Sequence, residues 1–142
     1  MPFRPALAAA ALLVLATPAL AEEAPNMLGK WVGMVDSAVM VGNTPDRTAE
    51  ADRKITFAKE SLEFTFDIKE QVAARFGGEM VAPKRSETLI GHLYPDNKSG
   101  MMLDDDGQYF FNLSDANTMQ LCYDHAKPDS KVIACWTARR AQ

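Results

Sequence analysis

A chain of 142 residues, 47% hydrophobic and 24% charged, is long enough to bury one core and too short for two domains of common size. Its formal net charge of −4, from 15 Lys and Arg against 19 Asp and Glu, runs against nucleic acid as a partner. Such a partner demands clustered cations, and here the basic residues are scattered.

The chain begins "MPFRPALAAAALLVLATPALA" over residues 1–21. Arg4 gives a positive start, and Ala6 to Ala16 is an unbroken apolar run of the length of a signal-peptide core, too short to span a bilayer. Pro18 breaks it, and Ala19 and Ala21 supply the small residues that signal peptidase requires. No cysteine follows for lipid attachment, and nothing lengthens the run into an uncleaved anchor. The expectation is a cleaved signal peptide at 1–21, then one domain at 22–142 that is exported, periplasmic or secreted, with no transmembrane segment.

Pro25 and Asn26 read as a flexible lead-in, and the first strand is expected over Lys30–Val41. "PDRTAEADRK" (45–54) lacks apolar anchors and reads as a loop with one short turn of helix. "LEFTFDIK" then alternates without a fault: Leu62, Phe64, Phe66 and Ile68 on one face, Glu63, Thr65, Asp67 and Lys69 on the other. Period two is the mark of a half-buried strand. Further strands follow at Arg75–Val81, Glu87–Tyr94, Gly100–Leu103, Gln108–Leu113, Thr118–Asp124 and Lys131–Arg139, separated by turn-forming "PKRS", "PDNKSG", "DDDG", "SDAN" and "HAKPDS". Gly77-Gly78 suggests a bulge or sharp bend. Eight strands with short links imply an all-β antiparallel meander. Closing it into an eight-stranded up-and-down barrel removes two aggregation-prone edges, and a small open sandwich is the alternative.

The only two cysteines, Cys122 and Cys135, fall on the last two predicted strands. If "HAKPDS" turns the chain back so that they face each other, Gln120 meets Thr137 and Asp124 meets Ile133 on a polar side. Met119 then meets Ala138, Leu121 meets Trp136, and Tyr123 meets Ala134 on an apolar side. One register satisfies both patterns, and a one-residue slip spoils both. A cross-strand disulfide on the outer face is therefore expected. Free thiols remain open, as does a metal or redox pair, although the spacing is not C-x-x-C and His92 and His125 do not complete a zinc pattern.

"LGKWVG" at 28–33 places Gly29-Lys30-Trp31 at the head of the first strand. This G-x-W resembles the entry motif of the lipocalins and the start of avidin-type barrels. The resemblance implies a calycin-like small β-barrel in which Trp31 closes one end and a basic residue of the last strand, Arg139 (or its neighbour Arg140), packs across it. It also hints at ligand binding.

The inward set is bulky: Phe64, Phe66, Ile68, Phe76, Leu89, Tyr109, Phe111, Leu121, Tyr123 and Trp136. Either these side chains fill the barrel, or Phe64, Phe66, Tyr109, Phe111, Tyr123 and Trp136 line a pocket for a small apolar molecule. The DDDG turn at Asp104–Gly107 lacks the alternating ligands of an EF-hand and reads as a hairpin turn with Gly107 at a positive-φ position. His125 beside Asp124 looks like an orienting pair without a nucleophile, and methionines at strand spacing read as core fillers rather than a copper site. No cofactor, metal or catalytic residue is expected, so an enzyme is disfavoured. Two functions remain: a carrier or sensor of a small apolar ligand, or a protein-interaction module (an inhibitor or envelope accessory factor) with a filled core.

Overall fold

The computed structural model of the chain describes residues 23–44, 46–47 and 54–142. The leader expected at 1–21, and most of the loop expected to carry a helical turn at 45–54, lie outside these residues. Among the described residues the chain is all-β: β1 (Gly29–Val35), β2 (Val39–Val41), β3 (Thr56–Phe57), β4 (Leu62–Val72), β5 (Arg75–Ala82), β6 (Arg85–Leu93), β7 (Ser99–Leu103), β8 (Gln108–Asp115), β9 (Thr118–Ala126) and β10 (Lys131–Arg140). Every pairing is antiparallel. Strands β4 to β10 follow one another in order, β1 lies beside β4, and β1 also pairs with β10. That last contact closes an eight-stranded up-and-down barrel, so the sandwich alternative is excluded.

The first predicted strand is in fact two. β10 offers its C-terminal half, Ala138–Arg140, to β1 and its N-terminal half, Lys131–Ile133, to β2. Between them the chain bends at Asp36–Ala38, and Ser37 bridges the gap: its Oγ accepts from Cys135 N–H at 3.3 Å and donates to Cys135 C=O. A side chain thus stands in for the missing backbone partner. β2 carries the two-residue β3 on its far side, where Val39 pairs Phe57 and Met40 pairs Thr56.

Alternation decides which side chains enter the barrel. Of the predicted inward set all are buried except Phe64, which is partly so. Met27, Met40, Met80, Met102, Met119 and Leu93 join them. A bulge between Ile68 and Glu70 in β4 inserts one extra residue opposite Gly77-Gly78. A Cβ on Gly78 would sit 2.0 Å from Asp67 O, so glycine is required there. The bulge also switches parity, which turns Gln71 toward the base.

At that base the expected flexible lead-in is instead tied down. Met27 N–H donates to Gln71 Oε1 at 2.7 Å, Gln71 Nε2 donates to Pro25 O at 2.9 Å, and Trp31 Nε1 donates to Met27 O at 2.9 Å. Trp31 and Met27 are fully buried. The guanidinium that covers Trp31 belongs to Arg140, with Cζ 4.2 Å from the ring centroid, and not to Arg139. Arg140 also donates to Asn26 O at 2.6 Å, to Leu28 O and to Ala116 O. Arg139 stands on the outer face against Thr118, because on β10 the even-numbered residues point inward.

Candidate functional site

The opposite end, the mouth, is formed by the turns at 83–84, 104–107 and 127–130 and by the segment after β2. Its centre is Arg85 at the head of β6. Arg85 Nε lies 2.9 Å from Asp46 Oδ2 and its Nη1 lies 2.9 Å from Asp106 Oδ2, while Glu87 Oε1 is also bonded to Nη1. Burial alone would depress this guanidinium, but Glu87, Asp46 and Asp106 outweigh it and hold its pKa above the ordinary arginine value. Burial raises the Glu87 carboxyl despite Arg85. For Asp106 burial is again the largest effect, yet Arg85, Lys127 and His125 prevail and keep its carboxyl below the usual range.

Beside this ion cluster runs a chain of hydroxyls and imidazole. Tyr109 donates to Asp104 Oδ2, and Tyr123 Oη pairs with His125 Nδ1 at 2.9 Å and donates to Asp106 Oδ1 at 3.4 Å. His125 Nε2 pairs with Ser130 Oγ at 3.1 Å. Burial lowers the His125 pKa more than Asp106 raises it, so the ring is neutral at pH 7. Both phenols are raised, first by burial and then by Asp104. The expected pairing of His125 with Asp124 does not form: neighbours on a strand face opposite ways, and Asp124 bonds Gln108 on the outer face. Ser130 against His125 has the look of a nucleophile and base, yet both are buried and the serine is held within its own turn, where Lys127 N–H donates to Ser130 O.

The DDDG turn is a hairpin turn, as expected. Asp104 Oδ1 accepts from Gly107 N–H at 2.7 Å and from Asp106 N–H at 3.2 Å. The reason for Gly107 differs from the expected one, because its φ is not positive. A Cβ there would stand 2.3 Å from the Tyr123 ring, so close packing demands the glycine.

Beneath Asp46 and Arg47 lies a small apolar chamber of about 40 Å³, walled by Val35, Ala38, Phe64, Val132, Ala134 and Trp136. Arg47 roofs it by donating to Val35 O at 2.6 Å and Glu60 O at 2.7 Å. On the other side of Asp46 and Arg47 an open cleft of about 340 Å³ includes Met40, Phe57 and Lys84. Of the six side chains proposed to line a ligand site, five form one aromatic cluster. Trp136 lies 5.9 Å from Phe64 and 6.3 Å from Phe66, and Tyr109 lies 5.1 Å from Phe66 and 4.8 Å from Tyr123. Phe111 is apart, paired with Phe76 at 6.1 Å. Trp136 Nε1 has no hydrogen-bond partner among the described residues.

The outer face carries a second feature. Phe57, Val39 and Ile133 stand side by side across β3, β2 and β10, with 67%, 37% and 61% of their surfaces exposed. Next to them the Cys122–Cys135 disulfide joins β9 to β10 in the expected register. Phe110, 45% exposed, flanks it on β8.

Sequence reasoning missed the ion cluster at the mouth. One signal was visible: Arg85 and Glu87 share the parity of fully buried Leu89, so two opposite charges had to enter the barrel rim together. Asp46 and Asp106 could not be assigned to them from the sequence, because long-range loop placement has no local pattern. Compared with known proteins, the chain matches no family model, no curated protein and no solved structure.

Proposed function

We propose that the protein is an exported, non-catalytic binding module: a filled barrel that serves as a rigid scaffold and meets a protein partner on the outer face of β10, β2 and β3. One contrast carries this reading. The chamber among the described residues of the mouth holds about 40 Å³, far below the roughly 300 Å³ of an ordinary ligand pocket, while Phe57, Val39 and Ile133 leave a contiguous apolar row in water. The disulfide, and the lack among the described residues of any helix able to cross a membrane, are compatible with export. Export itself is checked by the intact mass of the protein from its own host. The mass should correspond to a chain starting near Glu22 with two hydrogens lost to the disulfide.

The partner reading is tested by a photo-reactive residue at position 57 in the producing cells. One discrete protein adduct is expected, abolished by Ile133→Lys. No adduct, or an equal one from position 72 at the barrel base, where Val72 is 65% exposed, would overturn the reading.

A second reading, a carrier of a small apolar molecule, is favoured by the apolar chamber and its aromatic floor. It requires Asp46 and Arg47 to swing away and join the chamber to the cleft. Binding of an apolar dye that quenches Trp136, and its loss in Ala38→Trp, would support it. An unquenched spectrum at saturating dye would remove it.

A further inference from the structure

The Cys122–Cys135 bond is more than a clasp on the last hairpin. Both cysteines are exposed on the outer face of the barrel. They lie on an open, shallow stretch of that face beside Phe110, Asn112, Gln120 and Thr137. None of these four is charged, Asp124 stands on the same face two residues from Cys122 and is bonded by Gln108, and Phe110 offers an apolar ledge beside the sulfurs. Nor does the fold depend on the bond for its alignment. Nine residue pairs from Lys131↔Ala126 to Arg139↔Thr118 bind β9 to β10, and Met119, Leu121, Tyr123, Ala134, Trp136 and Ala138 anchor the inner side in the core.

We propose that Cys122–Cys135 is a thiol–disulfide exchange site, a substrate for a dithiol that opens it while the barrel stays folded. The chemistry balances. A thiolate of the dithiol attacks one protein sulfur, the S–S bond breaks, and the departing cysteine thiolate takes up a proton from water. The second thiol of the reagent then attacks the mixed disulfide, releasing the other cysteine as thiolate and leaving the reagent oxidised. Two electrons pass to the protein in all. The cysteines are 13 residues apart rather than in C-x-x-C, so the protein is the exchange target and not the catalyst. Exposure is what separates such a bond from a buried structural one, which a thiol reaches only when the chain unfolds.

The test is native-state reduction by dithiothreitol at pH 8, quenched by alkylation and read as mass. The reference is the same protein unfolded in guanidinium chloride at equal thiolate concentration. The expected rate is within tenfold of the unfolded reference, with far-ultraviolet circular dichroism and the wavelength of the tryptophan emission maximum retained as the bond opens. A rate slower by more than tenfold, or loss of either spectroscopic signal on reduction, overturns the proposal. The Cys122→Ser/Cys135→Ser double variant gives an independent reading. It should fold and melt cooperatively, and failure to do so overturns the proposal as well.

Discussion

Arg140 and Arg139 differ only in which way they point, and that difference was present in the sequence. Trp136 belongs to the buried face of the last strand, so Arg140, two pairs further along, must share it, while Arg139 must not. The G-x-W likeness suggested that a basic partner existed but not its parity. Replacing Arg140 by Ala removes the stack on Trp31 and the bonds to the carbonyls of Asn26, Leu28 and Ala116. For a partly exposed guanidinium that should cost about 1–3 kcal/mol in urea unfolding, and Arg139→Ala less than about 0.5 kcal/mol. His125 makes a pH-dependent contribution. Its folded-state pKa lies below the unfolded 6.5, so the unfolded chain binds a proton first. The stability it contributes is whole above pH 6.5 and is lost as pH falls toward the folded value. Glu87, whose folded pKa lies above 4.5, acts in the opposite sense at lower pH. The groups facing His125 are Tyr123, Ser130, Asp106, Lys127, Arg85 and Asp104, and of these Asp106, lowered from 3.8, reinforces the acid loss. Urea midpoints measured from pH 7.5 to 5 should decline in the native protein and flatten in His125→Gln.

Among the elements, alternation and turn chemistry were enough to read most strands, because each strand has one wet and one dry face. The cysteines then fixed the last register, since sulfur pairing and burial agree on one alignment. β3 was not legible, because two residues carry no period. Nor was the break between β1 and β2, since "MVDSAVMV" reads as one strand with a polar interruption until Ser37 is seen to bond Cys135. This bridge is testable: Ser37→Ala leaves the Cys135 N–H and C=O without their partner. We expect a loss of about 1–2 kcal/mol by urea unfolding, and Ser37→Thr should restore part of it.

Taken as a whole, the barrel is closed by contacts between its first and last strands, and such long-range closure makes folding slow, in the millisecond-to-second range. Whether its interior was hollow or filled could not be read from ten bulky residues. Met27, Met40, Met80, Met102, Met119 and Leu93 are buried in the same space, where methionines fill irregular gaps. Met27 comes from outside any strand and stoppers the base, so Met27→Ala should cost about 2–4 kcal/mol and leave one cooperative transition. A second, earlier transition would mean that the segment preceding β1 is an appendage and not part of the core.

The binding of Asn26 and Leu28 by Arg140, together with the bond from Ala141 N–H to Lys30 O, brings residues 26–30 and 140–141 to the same pole. A short Gly-Ser join between them, with new ends cut at the 127–130 turn, should therefore yield a viable circular permutant. Immobilising the protein on a solid support through residue 142 would leave the mouth facing solution.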